Sequence, residues 1–166
     1  MISSRYVAGF FDGEGCIYVY RKMGVEKPYI HLRVTISQVN RLPLDLIKAR
    51  YGGSVHRLYQ SRGKHQTCYQ WTAACRTAIR FLESISTHLI IKREKAIKAV
   101  YLARVISENK ARHVKGVRGS YVSKEEWEYR GRLMEICNDE NKKLADMHHS
   151  GVAELMYCHR LLSQMS

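Results

Sequence analysis

From Arg5 to Cys16 the chain reads RYVAGFFDGEGC, and Val7, Phe10 and Phe11 recur at helical spacing behind a serine able to cap, Ser3 or Ser4. The spacing predicts a short helix that finishes near Gly15. Beyond Gly15 the period drops to two: in CIYVYRK, Ile17 and Val19 alternate with Tyr18, Tyr20 and Lys22, and in YIHLRVTIS, Ile30, Leu32, Val34 and Ile36 alternate with Tyr29, His31, Arg33 and Thr35. These are two half-buried strands, joined as a hairpin by MGVEKP. Their outward faces are rich in tyrosine, histidine, arginine and lysine.

The same order then repeats. Asn40 can cap a helix through RLPLDLIKARY that Gly52 and Gly53 stop, after which SVHRLYQ and QTCYQWTA form a second hairpin around SRGKH. RTAIRFLESIS is a further helix. From Lys92 the chain is helical, with Ile97, Val100, Tyr101 and Val105 on one face; a polar loop NKARHVKGVRGS follows, then helices from about Ser123 to Ala145 and Val152 to Gln164. The result is an α+β chain of order αββαββα, its helices packing on one face of a four-stranded antiparallel sheet. Residues 1–106 are expected to form this core and residues 107–166 a C-terminal helical extension of the same domain.

Charge narrows the possible partners. Among 166 residues, 28 Lys and Arg stand against 15 Asp and Glu, a net charge of +13 that attracts a polyanion at long range. Nucleic acid is the leading expectation. A membrane surface is the competitor, but the apolar runs are short and broken by charge and no segment resembles a signal peptide, so a soluble intracellular protein without membrane contact is expected. The five cysteines contain no CxxC pair, which favours reduced thiols over a zinc ribbon or disulfide framework. His148, His149, Cys158 and His159 fit no metal-ligand spacing and read as a solvated helix face.

Two acids, Asp12 and Glu14, sit in the last turn of the first helix, where the helix dipole disfavours them. Gly9 and Gly13, four apart with Ala8 beside them, form a stripe on which a second backbone can approach closely. If two copies of the helix pack there, the two Glu14 carboxylates meet among backbone carbonyls. Such a cluster repels itself unless a divalent cation fills it.

VAGFFDGEG, Val7 to Gly15, resembles the signature of the LAGLIDADG homing endonucleases, whose core is αββαββα. The resemblance implies a site-specific endonuclease that hydrolyses phosphodiesters of double-stranded DNA with Mg2+, or another divalent cation such as Mn2+. It implies Glu14 as metal ligand with the Gly13 carbonyl, Gln38 as a residue ordering water, Lys92 as a stabiliser of phosphate charge, and Asp12 as a local cap. Arg41 lies near Gln38. Because the signature occurs once, a homodimer is expected on a long pseudo-palindromic target, with Ala8, Gly9, Asp12 and Gly13 at the interface.

The sheet face supplies recognition. A twisted ribbon fits the major groove, where Tyr18, Tyr20, Lys22, Tyr29, His31, Arg33, Thr35, Gln70 and Thr72 can meet DNA while Arg21, Lys27 and Arg57 reach phosphates. Lys115 and Arg118, with Lys110 and Arg112, form a backbone-gripping loop. The exposed tyrosines also suit stacking on unpaired RNA bases. A non-cleaving nucleic-acid-binding module of the same fold, an intron maturase or a DNA-binding regulator, is the alternative.

Overall fold

The computed structural model describes residues 2–22, 29–59, 66–111 and 124–138. Helix α1 (Ser4–Glu14) leads into β1 (Gly15–Lys22) and β2 (Tyr29–Gln38), then α2 (Leu42–Tyr51), β3 (Ser54–Tyr59), β4 (Cys68–Ala74), α3 (Cys75–Ile85), a 3-10 turn at Ser86–His88, α4 (Arg93–Ala111) and α5 (Lys124–Asn138). The expected αββαββα order is therefore present. All strand pairs are antiparallel, and the order across the sheet is β1-β2-β4-β3.

Local chemistry explains the boundaries. The Ser3 hydroxyl accepts the Tyr6 amide at 3.2 Å and opens α1. Asn40 accepts the Leu42 amide at 3.0 Å ahead of α2, and Gly52 and Gly53 end that helix at φ of 80° and 86°, a left-handed region that side chains disfavour. The Gly52 carbonyl then accepts the Trp71 indole N–H at 2.9 Å, which fixes the turn onto β4.

Ile17, Val19, Ile30, Leu32, Val34, Ile36, Trp71 and Ala73 occupy the buried face of the sheet, as alternation requires. Val7 and Phe11 of α1 join them, with Phe10 partly buried. Phe81 of α3 is the aromatic hub: its ring lies 4.7 Å from Trp71, 5.2 Å from Tyr51 and 5.3 Å from Phe11, the last two edge-on. Helix α4 packs on α3, on β1 and β2, and on α5.

Being enclosed from several sides shifts the buried face of α4 from the one the sequence suggested. Ala96, Ala99, Leu102 and Ile106 are buried with Tyr101, whereas Ile97, Val100 and Val105 are only partly so. The helix also runs through Ala111, into the start of the expected polar loop. Helix α5 occupies Lys124–Asn138 of the 123–145 expected, residues 139–145 lying outside the described residues, and its Asn138 amide donates to the Val19 carbonyl at 3.0 Å. The two hairpin loops, the rest of the polar loop and the 152–164 helix lie outside the described residues. So do Lys27, Arg112, Lys115 and Arg118.

Gly15 is fixed by sterics. A Cβ there would land within the Phe11 ring, which is fully buried and held edge-on by Phe81. We expect Gly15→Ala to lower stability by about 1–3 kcal/mol through overpacking, measured as a lower urea midpoint with unchanged slope.

Candidate functional site

The last turn of α1 is where the two acids part company. Asp12 points inward and is only 8% exposed; its carboxylate accepts backbone N–H groups from Ile90 at 2.7 Å, Lys92 at 3.0 Å and Ile91 at 3.2 Å. Burial pushes the Asp12 carboxyl up, but these three amides and the Lys92 charge together outweigh it and hold the group below its ordinary 3.8. Asp12 is thus a long-range cap on the entry to α4, not a local one. Its own backbone carbonyl accepts the Lys92 ammonium, which brings Lys92 to the end of α1.

Glu14, two residues on, is exposed. It ends the helix, where the carbonyls of the last turn have no intrahelical partner. Gly9 and Gly13 are also exposed, and a Cβ on either would meet nothing within 4 Å. Ala8 is fully buried in its own core, so with the inward Asp12 it drops out of the expected interface stripe, which Gly9 and Gly13 keep open. Helical rotation separates the two pairs. In the segment whose amides hold Asp12, the Ile90 and Ile91 side chains are 88% and 76% exposed, an apolar pair the sequence pattern did not single out because aliphatic residues at a helix start read as core.

Gln38 ends β2. Since Gly15 pairs with Ile36, β2 runs past the first residue of β1 toward the end of α1, which sets Gln38 on the same side of the fold as Glu14 and Lys92. Its Oε1 accepts the Val39 amide at 2.8 Å. Arg41 is engaged locally: its Nε donates to Asp45 at 3.0 Å and its guanidinium lies 5.7 Å from the Tyr69 ring centre. Among the described residues no three His, Cys, Asp or Glu side chains come together to hold a metal ion. At the end of α1 one chain offers the exposed Glu14 carboxylate and the Gly13 carbonyl, oxygen donors of the kind a hard divalent cation takes but too few to enclose it.

On the sheet face away from the core, register builds rows of Cys16, Thr35, Thr72 and Ser54, then Tyr18, Arg33 and Ala74, then Tyr20 and His31. Gln70 donates to Ser37 at 2.9 Å on the same face. Tyr18, Tyr20, His31, Arg33, Gln70 and Thr72 therefore share one surface, as the alternation implied, whereas Thr35 lies in the same rows but is buried, 5% exposed, and has little of itself to offer a duplex. Lys22 and Tyr29 pair with each other at the far end of the first hairpin. Two arginines expected at phosphates are turned the other way. Arg57 pairs with Tyr69 and shares the face of Val55 and Trp71, while Arg21 lies on the parity of Ile17 and Val19, its guanidinium 5.2 Å from the Trp127 ring of α5.

In three dimensions the chain is similar to solved homing endonucleases. It overlays I-CvuI in complex with its target at a TM-score of 0.62 and 16% identity, covering 96% of this chain and 94% of that one. It overlays the archaeal intron-encoded I-Vdi141I complexed with DNA at 0.63 and 17%, covering 97% and 94%, and I-TnaI at 0.62 and 18%, covering 97% and 98%. Against the LAGLIDADG meganuclease I-AabMI bound to DNA the TM-score is 0.56 at 19% identity, with 80% of this chain covering 44% of that one. No protein-family model and no curated protein matches the sequence. The fold is that of the LAGLIDADG homing endonucleases. No helix among the described residues is long and apolar enough to cross a membrane.

Asp12 gives this region a pH signature. Because its folded value is lowered, its contribution is complete above 3.8, where the unfolded chain titrates, and is lost as pH falls through the lowered folded value. Asp12→Ala should cost about 1–2 kcal/mol near neutrality, as removal of a helix cap does. Asp12→Asn should flatten the acid limb of stability against pH; urea midpoints across the acid range would show whether it does.

Proposed function

We propose that this protein is a site-specific double-strand DNA endonuclease acting as a homodimer. The observation that carries the reading is the exposed Glu14 at the end of α1, with the Lys92 ammonium held at the Asp12 carbonyl of the same last turn and a basic, aromatic sheet face on the same chain. A net charge of +13 draws the duplex in, and the twisted sheet face is shaped for the major groove.

Within the site, Glu14 and the Gly13 carbonyl would hold a divalent cation, which when bound would activate water and offset phosphate charge. Calcium and magnesium accompany I-CvuI in its DNA complexes. Lys92 spends one of its three N–H donors on the Asp12 carbonyl and keeps the others for a phosphate oxygen that gains charge during cleavage. Gln38, at the strand end, orders the attacking water.

One chain carries one signature, with one exposed carboxylate at the end of its helix, whereas cutting two strands takes two centres. The unobstructed Gly9 and Gly13 and the bare Ile90 and Ile91 supply a close-approach surface with an apolar flank. The match to nearly all of I-CvuI and I-TnaI but under half of I-AabMI supports two copies of this chain on one duplex. The target is then pseudo-palindromic.

Glu14→Gln should lower the rate of cutting a target selected from randomised duplexes by about 10²–10³, the range for loss of one charge-stabilising group, and leave binding nearly unchanged. Cutting at the wild-type rate by this variant refutes the site. A wild-type protein that binds this target but never cuts it, with magnesium or manganese added, would instead be a non-cleaving module of the same fold. Gly9→Leu should drive the helices apart; light scattering is expected to give monomer mass where wild type gives dimer, and linear plasmid should no longer form.

A further inference from the structure

Among the described residues Arg33 sits in the middle of the sheet face with its guanidinium carbon 5.2 Å from the Tyr18 ring centre and 5.5 Å from that of Tyr20. Register explains the arrangement. Tyr18 stands directly opposite Arg33 across β1 and β2, and Tyr20 is one row along, itself tilted against His31 at 5.3 Å. Arg33 makes no ion pair among the described residues, and its buried Nε has no hydrogen-bond partner. Next along the strand, the Cys16 thiol pushes the Tyr18 hydroxyl above its ordinary 10.0.

A partly exposed arginine usually wanders among rotamers or seeks a carboxylate. This one is held by two π faces, an attraction that leaves its terminal N–H groups unspent. Across the sheet its other neighbour in the row is Ala74, whose small side chain leaves room for a flat group to approach. A planar fork of two parallel donors fits two acceptors on one edge. In the major groove only guanine, with O6 and N7, offers that pair; adenine and cytosine present a donor and thymine a methyl. Phosphates run along the groove walls, whereas β2 is an interior strand and Nε is sunk into the sheet surface.

We propose that Arg33, clamped by Tyr18 and Tyr20, reads one guanine in each half of the DNA target. The proposal rests on the DNA-binding reading above and adds the base and the device that reads it. Because the rings fix the guanidinium before DNA arrives, little side-chain freedom is lost on contact.

The test is selection from a randomised duplex library in calcium, followed by binding of the selected duplex and its single-base variants. Wild type should select guanine at one position per half-site. Arg33→Ala should weaken binding to that duplex about tenfold to a hundredfold and erase the preference at that position alone. Arg33→Lys, which keeps the charge but not the fork, should also lose the preference. Tyr18→Leu with Tyr20→Leu should blunt it at the same position without changing the salt dependence. If Arg33→Ala weakens binding equally for all bases and Lys restores it, the residue contacts phosphate and the proposal is overturned. A guanine preference that survives Arg33→Ala overturns it as well, while leaving the endonuclease reading intact. If wild type selects no sequence at all, the endonuclease reading falls and this inference with it.

Discussion

The Asp12 carboxylate joins the end of one helix to the start of another. Acids are disfavoured at a helix C-terminus and favoured where free amides collect ahead of a helix, and Asp12 occupies both environments at once. Its bonds to Ile90, Ile91 and Lys92 settle the balance, since a lowered pKa means the charged form is net favoured. Everything at the site follows from that tie. Lys92 is delivered to the α1 carbonyl, Ile90 and Ile91 are held out in solvent, and Glu14 is left as the acid with no structural duty.

Much of the fold could be read from alternation and spacing because one face of each element is buried and the pattern records it. The Val7 and Phe11 spacing, the period-two strands and the glycine stop at Gly52 all reflect purely local rules. Alternation also carries the placement of Arg21 and Arg57, which share parity with Ile17, Val19 and Val55 rather than with the tyrosines of the other face. The partner of Asp12 was not legible, since no periodicity links positions so far apart. Nor was the buried face of α4, which is set by α3 and α5 enclosing it rather than by a single apolar stripe.

The two faces of the sheet are held by different physics. On one, Phe81 gathers Trp71, Tyr51 and Phe11 into an aromatic cluster that fixes the helices against β2 and β4. On the other, polar and aromatic side chains hold one another: Gln70 with Ser37, Tyr20 with His31, Arg33 with two tyrosines. A surface that presents donors already ordered loses less entropy on contact than a set of free lysines would.

The amides that hold Asp12 come from residues 78 to 80 positions further along the chain. A chain emerging during synthesis has its signature helix long before it has the segment that secures it, and the closure of so long a loop comes late. A truncated product that stops short of Ile90 keeps the glycine stripe and Glu14 but lacks Lys92 and every donor that orders the helix end. If Glu14 and Lys92 form the proposed centre, that centre comes into being only once the segment through Lys92 has been made.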